Sequence, residues 1–483
     1  MVAPSLPMNQ FYMIVDTSIF RVTLAVMTPV LVCVMLALTS CGSYLPGSGA
    51  IPSSLPSGAI LSYQTSPVSL TITSASQSPI ANQYFGMHIH NLANPALSAA
   101  QQTPFPDFPV STMRLWDNVA WASIEPQRGV YNWTRMDDTI QKASSNGVTD
   151  FIFTHGDVPI WASSDPDNSS CSYKGGCVSP ANLSDLDDFT NNLVKRYCGV
   201  VRYYETWNEA GSSGFWQGTN EQMLNIARRI YASVKDPANC GCTDGSCKPG
   251  GGANPNKVLS PSISTPKNSQ WLQSYLSYAG NPYPYADIVA FHGYGYTADP
   301  EDIYTGAQKM HSMLAKYGLG AAEMWNTEAS WGNIAPSALE QVSWVIRYHV
   351  TQSFSGVSRF TWYAYDNCTW GTLYGAQGCT QTGDSPGPHD PATAYSTVEQ
   401  WLAGATPQYC ESHKDGTWLC AFTRPGGYAD WIVWNSSGRQ ITLSTASAPA
   451  LVQYRDWENQ VHPFTSSVTI DSVPILLENR NAF

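Results

Sequence analysis

The sequence predicts an α/β fold, a closed (β/α)8 TIM barrel followed by a small C-terminal all-β sandwich. Between residues 81 and 404, short apolar runs alternate with stretches of helical periodicity, an order typical of parallel strands joined by crossover helices. Eight strand–helix units need about 250 residues, which the chain of 483 supplies. From residue 405 to 483, short alternating runs are separated by turn dipeptides, and these indicate antiparallel strands.

Each predicted barrel strand ends in polar or aromatic residues. The strands span 84–90, 112–117, 150–155, 200–209, 258–264, 288–294, 323–328 and 359–365. The helices span 134–146, 183–197, 219–235, 268–279, 303–317, 336–353 and 391–403. Because the carboxyl ends of barrel strands meet at one mouth, the residues that close these strands are the candidates for a functional site.

The first 41 residues predict a signal segment. Arg21 precedes an apolar run over 22–38, and the sequence Leu38-Thr39-Ser40-Cys41 is typical of a bacterial lipoprotein signal that ends at a lipidated Cys41. Residues 42–80 contain a tether rich in Gly, Ser and Pro and a short strand near 68–72. We therefore expect an exported lipoprotein at the cell surface or in the periplasm. An uncleaved anchor and plain secretion stay open, since about 18 apolar residues nearly span a bilayer.

Cysteine spacing agrees with export. An even number of cysteines outside the targeting segment predicts disulfides, which form in oxidising compartments. Close spacing predicts the pairs Cys171–Cys177, Cys368–Cys379 and Cys410–Cys420. The cluster of Cys240, Cys242 and Cys247 predicts one internal bond and one bond to Cys198, with a zinc knuckle as the alternative.

Composition argues against a nucleic-acid partner, and weakly against polyanionic substrates. The net charge of −12 offers no basic surface for nucleic acid. Seventeen Trp and 26 Tyr are suited to stacking on sugar rings, although composition alone favours the simpler interpretation of a large aromatic core. Any membrane contact would run through the lipid or the N-terminal anchor, and we expect no metal and no other cofactor.

Two carboxylates close strands on nearly opposite sides of the predicted barrel. The fourth strand ends in Trp207-Asn208-Glu209 and the seventh in Asn326-Thr327-Glu328. Cleavage of a glycosidic bond needs such a pair, one acid for the leaving oxygen and one carboxylate at the anomeric carbon. We expect the three other nearby carboxylates to be structural; they are Glu205, Glu323 and Glu125.

Several further stretches accompany this pair across residues 83–404. They are Phe85-Gly86-Met87-His88, Met113-Arg114-Leu115-Trp116-Asp117, Gly129-Val130-Tyr131-Asn132-Trp133, Pro159-Ile160-Trp161-Ala162-Ser163 and His292-Gly293-Tyr294. With these stretches the chain resembles the clan A glycoside hydrolases, most of all family 39 and related exopolysaccharide-cleaving endoglycosidases.

The resemblance implies a retaining hydrolase of polysaccharides or oligosaccharides. Glu209 would be the acid/base with a raised pKa, and Glu328 the nucleophile, the two being about 5–5.5 Å apart. It implies substrate contacts or supporting roles for a further set of residues, which are Asn208, Arg114, His292, Tyr294, Trp362, Trp116, His88 and His155.

Three other functions stay open at this point. The same site would serve a transglycosylase, which hands the sugar to another sugar. A surface lipoprotein that binds glycan without cutting it has no need of both Glu209 and Glu328. A metal-dependent hydrolase would draw on His88 and His90, but further ligands at matching strand ends are missing from the sequence.

Overall fold

The computed structural model describes residues 68–70, 78–117, 119–264, 269–294, 299–332, 334, 336–375, 387–445 and 450–480. The predicted signal segment, its Cys41 and most of the tether lie outside the described residues. Within the described ranges, no helix has both the length and the apolar character needed to cross a bilayer.

Eight parallel strands close into a barrel, which confirms the predicted fold class. Each strand pairs with the next, and the last pairs with the first. The strands are β1 (Phe85–Met87), β2 (Thr112–Leu115), β3 (Asp150–Thr154), β4 (Val201–Glu205), β5 (Lys257–Leu259), β6 (Ile288–His292), β7 (Glu323–Ala329) and β8 (Val357–Trp362). Most of them end earlier than predicted, because the polar residues that follow leave the hydrogen-bonded ladder for the mouth.

Seven long helices surround the barrel within a few residues of the predicted bounds, and a short one precedes them. The helices are α1 (Trp121–Ile124), α2 (Thr134–Ser145), α3 (Leu183–Arg196), α4 (Asn220–Lys235), α5 (Gln270–Ala279), α6 (Asp302–Ala315), α7 (Ala338–Ser353) and α8 (Asp390–Leu402). Side-chain caps fix the first turns of α3, α4 and α7, since Asn182, Thr219 and Ser337 accept from backbone N–H groups there.

Below the mouth, side chains fill the barrel interior. Ile152, Leu259, Ile288, Ala290 and Trp325 form one buried apolar cluster contributed by β3, β5, β6 and β7. The barrel is therefore closed from below, and substrate-sized groups reach the strand ends only from the mouth.

The C-terminal residues form the predicted β-sandwich. Its larger sheet holds, in order, Val68–Leu70, β9 (Thr406–Ser412), β10 (Thr417–Arg424), β11 (Tyr428–Asn435), β16 (Ile475–Glu478), β13 (Gln453–Arg455) and β14 (Val461–Pro463). The smaller sheet pairs β12 (Ile441–Ser444) with β15 (Ser467–Ile470), and the two sheets share one apolar core.

Buried polar contacts join the sandwich to the barrel. Trp434 of β11 donates its indole N–H to Glu301 at 2.6 Å, and Arg347 of α7 donates two hydrogen bonds to the same carboxylate at 2.6 Å each. Ile432 and Trp434 also belong to the apolar core of the barrel. These contacts support a bracing role for the sandwich.

Four predicted disulfides are present, namely Cys171–Cys177, Cys198–Cys240, Cys242–Cys247 and Cys410–Cys420. The fifth predicted pair includes Cys379, which lies outside the described residues. Such bonds persist in oxidising compartments, so they suggest an extracellular or periplasmic protein.

Removing the shared carboxylate should destabilise both domains. Glu301→Ala leaves the buried Arg347 guanidinium with the more exposed Asp299, 3.5 Å away, in place of its closest carboxylate, and we expect a loss of about 3–5 kcal/mol in the free energy of unfolding. Trp434→Phe removes one hydrogen bond to a charged group and should cost about 1.5–3 kcal/mol. Urea unfolding measures both. The control Lys174→Ala breaks an exposed ion pair with Asp167 and should change nothing measurable; equal losses in all three variants would contradict the bracing role.

Candidate active site

A buried arginine connects the strand ends. Arg114 closes β2, and its Nε and Nη2 donate to the two oxygens of Glu205 at 2.9 Å each. Its Nη1 donates to Glu328 at 2.8 Å, and Nη2 also donates to Asn208 at 2.9 Å. The guanidinium is fully buried, and the two carboxylates raise its pKa against the opposing effect of burial. One fixed cation thus positions side chains from β4 and β7.

Glu328 reaches the mouth through an irregularity in β7. Strict alternation would turn Glu328 to the same face as Asn326, whose amide donates to Gln352 of α7. The pairing register of β7 shifts between Asn326 and Glu328, so the carboxylate points inward instead. Tyr294 donates its hydroxyl to the second oxygen of Glu328 at 2.5 Å.

Opposing forces act on the ionisation of Glu328. Burial raises its pKa, and the neighbouring His292 and Arg114 lower it. The neighbouring Glu209 raises it again, and the net pKa lies above the ordinary value of a glutamate. Arg114 therefore limits a rise that burial would otherwise make larger.

Glu209 faces Glu328 across the mouth. Its backbone adopts a left-handed conformation with φ of 42°, an uncommon state for a residue with a side chain. The hydroxyl of Ser262 accepts its backbone N–H at 3.1 Å. His292 lies between the two carboxylates, with Nδ1 2.9 Å from Glu209 and 3.6 Å from Glu328. The nearest polar atoms of these three residues lie within 4.8 Å of one another.

The amide orientation of Asn208 follows from its partner. A guanidinium only donates hydrogen bonds, so the atom of Asn208 that faces Arg114 is its carbonyl oxygen. Its NH2 group is left to donate elsewhere in the mouth. This arrangement suits contact with a sugar hydroxyl beside the carboxylates.

Glu209, His292 and Glu328 are also a group of possible metal ligands among the described residues. Arg114 already places a cation 2.8 Å from one oxygen of Glu328, and Tyr294 donates to the other. Both oxygens of that carboxylate are thus engaged by donors, which fits a metal-independent site.

His88 and Trp116 support the site from its edges. His88 is buried, and its Nε2 lies 3.1 Å from the carbonyl of Thr327, the residue before Glu328. The ring of Trp116 packs edge-on against Tyr173 and Phe215. Gly156 makes room for that ring, because a Cβ there would come within 3.0 Å of it.

Two of the expected substrate contacts lie away from the mouth. Trp362 is fully buried against α7, where its ring stacks on His349, and it donates to the carbonyl of Gly371. His155 lies against α3, with its Nε2 3.4 Å from the hydroxyl of Thr190. Both side chains lie on strand faces that point outward to the helices, so neither Trp362 nor His155 is placed to contact a substrate in the mouth.

Sequence reasoning missed a group of residues beside Glu328. Tyr363 follows Trp362 and takes the inward position; it is partly exposed and donates to Asp117 at 2.8 Å. Tyr173 donates to the other oxygen of Asp117 at 2.6 Å, and His90 lies 3.2 Å from Asp117. Strand alternation would have indicated Tyr363, whereas nothing local in the sequence indicates the contact between Tyr173 and Asp117.

The three rival carboxylates have structural contacts. Glu205 is buried beneath the mouth on Arg114. Glu323 is exposed and accepts from Trp325 and Ser358. Glu125 accepts from the indole of Trp121.

Comparison with known proteins agrees with this geometry. Residues 107–178 match the model of the family Glyco_hydro_42, beta-galactosidase, over a segment that includes β2 and β3. The chain has the fold of clan A glycoside hydrolases. The expected resemblance in fold to that clan, including family 39 structures, is confirmed.

Three solved structures illustrate the match. A family 39 glycoside hydrolase from Bacteroides cellulosilyticus is similar with a TM-score of 0.60 at 14% identity, over 83% of this chain and 81% of that one. A glucosidase from Croceicoccus marinus gives 0.58 at 15% identity, over 85% and 99%. A family 39 beta-xylosidase from Caulobacter crescentus gives 0.53 at 14% identity, over 83% and 97%.

Loss of the Arg114 charge should raise the pKa of Glu328. In Arg114→Met, burial and the charge of Glu209 still raise the pKa of Glu328, but the guanidinium that lowers it is gone. Glu328 should therefore lose its proton only at higher pH than in the wild type. Carbon-13 NMR of labelled glutamate measures this, with Glu328→Gln identifying the signal. Arg114→Lys keeps the charge and should shift the pKa less, and Arg229→Gln, which breaks an ion pair between α3 and α4, should leave it in place. An unchanged or lower pKa in Arg114→Met would contradict this account.

Proposed function

We propose that this protein is an exported retaining glycoside hydrolase that cleaves internal O-glycosidic bonds of a polysaccharide by double displacement. The observation that carries the proposal is the pair Glu209 and Glu328, whose oxygens lie within 4.8 Å across the mouth with His292 between them. Retaining enzymes place their carboxyl groups about 5–5.5 Å apart, whereas inverting enzymes leave about 6.5–9.5 Å for a water molecule.

In the first step, a carboxylate oxygen of Glu328 attacks the anomeric carbon while Glu209 donates its proton to the leaving oxygen. Arg114 and Tyr294 hold Glu328 by one hydrogen bond to each oxygen, which fixes the attacking atom. The bond to the leaving sugar breaks and an ester to Glu328 forms.

In the second step, Glu209 takes a proton from water, and the resulting hydroxide oxygen attacks the anomeric carbon. The ester breaks, Glu328 leaves as a carboxylate, and Glu209 is protonated again. Two displacements at one carbon restore its original configuration. Asn208 donates to a neighbouring hydroxyl, and such contacts strengthen in the transition state.

The two carboxylates should respond differently to substitution. Glu328→Gln should abolish turnover on every substrate, because no covalent intermediate forms. Glu209→Gln should slow cleavage of natural glycosides about 10²–10⁴-fold. With aryl glycosides, whose acidic leaving groups need no proton, it should spare the first step but slow the second, so that a burst of released phenol is followed by slow turnover. Mass spectrometry of oligosaccharides released from a polysaccharide panel measures turnover by Glu328→Gln. Release of 2,4-dinitrophenol from its glycosides measures the cleavage of activated substrates by Glu209→Gln. Glycan that is bound but never cut by the wild type would sink the proposal in favour of a binding protein.

Lipid attachment at Cys41 is part of the proposal. We expect the exported chain to carry a diacylglyceryl group on Cys41 and to sediment with membranes. Cys41→Ser should abolish the mass added by the lipid, as read by mass spectrometry of the N-terminal peptide. Substitution of Cys33 within the apolar run is the matched control and should leave lipidation intact. Release of an unmodified soluble wild type would show plain secretion instead.

A further inference from the structure

A second polar cluster lies next to the catalytic pair. It consists of Asp117, His90, Tyr173 and Tyr363, and we name it the Asp117 cluster. One carboxylate oxygen of Asp117 accepts from Tyr173 at 2.6 Å, and the other accepts from Tyr363 at 2.8 Å and lies 3.2 Å from His90 Nε2. The four residues come from the loops after β1, β2, β3 and β8.

The Asp117 cluster lies on the Glu328 side of the mouth. Burial and the charge of Asp117 raise the pKa values of Tyr173 and Tyr363, and the charge of Glu328 raises both further. A chain of aromatic contacts also connects the cluster to Glu328. The ring of Tyr363 packs edge-on against Trp370, and Trp370 packs edge-on against Tyr294, which donates a hydrogen bond to Glu328. Glu209 would protonate the leaving sugar on its own side, so the sugar that becomes attached to Glu328 extends toward the Asp117 cluster.

Asp117 stays ionised and has room for one more hydrogen bond. Burial raises its pKa, but the hydrogen bonds from His90, Tyr173 and Tyr363 outweigh burial and hold the pKa below its ordinary value. A carboxylate accepts about four hydrogen bonds, and the partners among the described residues occupy three of these positions and leave one. The side chain of Asp117 is 19% exposed, so that position is accessible from the mouth.

In the part of the chain that the structure describes, the cationic side chains that act on Asp117 already have carboxylate partners. Asp157 lies close enough for the charge of Asp117 to add to burial and raise its pKa to about 7. Arg114 is engaged by Glu205 and Glu328, and His90 by Asp117. A carboxylated sugar placed here would lose its hydration without gaining a positive partner.

A disulfide fixes the loop that carries Tyr173. Cys171–Cys177 closes that loop, and its backbone is hydrogen-bonded to the loop that follows Glu209, from Ser172 N–H to the carbonyl of Gly214 at 2.8 Å. The Gln217 N–H donates to the carbonyl of Cys177 at 2.8 Å. The position of Tyr173 over Asp117 is therefore set by the same loops that frame the acid/base.

We propose that Asp117 accepts a hydroxyl of the sugar on the Glu328 side of the cleaved bond, and that it restricts this subsite to uncharged sugars and rejects uronates. The inference rests on the proposed function and names the substrate class for that site. Tyr173 and Tyr363 are positioning residues in this scheme, because they act by holding the Asp117 carboxylate.

The test compares matched neutral and anionic substrates. A β-glucan, a galactan and a mannan are offered to the full chain beside the same polymers oxidised to carboxylates at C6. We expect the wild type to prefer the neutral form of its substrate at least 100-fold in kcat/KM. Asp117→Asn should raise KM for the neutral form about tenfold and cut that preference at least tenfold, since the repelling charge is gone. The control Asp167→Asn removes an equal charge from an exposed side chain nearby and should leave both values unchanged.

Three results would overturn the inference. They are equal cleavage of neutral and oxidised polymers by the wild type, equal loss on both by Asp117→Asn, and wild-type behaviour of that variant. If Asp117→Asn fails to fold, Tyr173→Phe and Tyr363→Phe each remove one donor that positions the carboxylate; each should raise KM for the neutral form, while the preference for neutral over oxidised polymer persists because the charge of Asp117 stays. Loss of that preference in these variants would contradict the inference. If the wild type cuts none of these polymers or any other, the proposed function fails; calorimetry of neutral and oxidised oligosaccharides then tests the charge selectivity of Asp117 alone.

Discussion

The structure of the mouth depends on one buried guanidinium. Arg114 donates four hydrogen bonds, to Glu205, Asn208 and Glu328, and so joins the ends of β2, β4 and β7. A buried arginine is costly without partners, and carboxylates at this position are costly without a cation. The buried arginine and the buried carboxylates therefore stabilise one another. Below the mouth, the negative charge of Glu205 balances the positive charge of Arg114. Arg114 can therefore orient Glu328 without cancelling the negative charge of the site as a whole.

The remaining parts of the site follow from that constraint. With one oxygen of Glu328 held by Arg114 and the other by Tyr294, the carboxylate has a single orientation. His292 contacts Glu209 and lies near Glu328, so the two carboxylates share one wall of the mouth. Glu209 adopts its left-handed backbone at the point where the chain leaves β4 for the mouth, and such strain is stored where the surrounding structure holds it. A fixed, water-poor pair of carboxylates is what displacement at a sugar carbon requires.

Sequence periodicity predicted the barrel because each unit is local. The apolar alternation of the strands and the caps of α3, α4 and α7 are encoded within a few residues, and they place Glu209 and Glu328 at strand ends without further information. Applied more strictly, the same alternation would have predicted Tyr363, and not Trp362, as the residue that faces the mouth. It would also have placed the His155 side chain on the same face as Phe153, toward α3. The register shift in β7 is different, because a bulge depends on the pairing partners and leaves no periodic signal.

Contacts between loops were the least predictable part. Tyr173 and Asp117 are 56 residues apart, and their meeting depends on how the Cys171–Cys177 loop packs against the loop after Glu209. Disulfide spacing predicted that the loop closes, but neither spacing nor composition indicates where its side chains point. Residues on these loops are expected to select the substrate, whereas residues at the strand ends determine the type of reaction.

The most direct test of the account is the configuration of the newly released sugar. Proton NMR, recorded on a cleaved polysaccharide in the first minutes before mutarotation, distinguishes the two anomers of the new reducing end. The paired geometry of Glu209 and Glu328 predicts that the product first appears with the configuration of the bond that was cut. Appearance of the opposite anomer would mean that water attacks directly and that Glu328 is not a nucleophile.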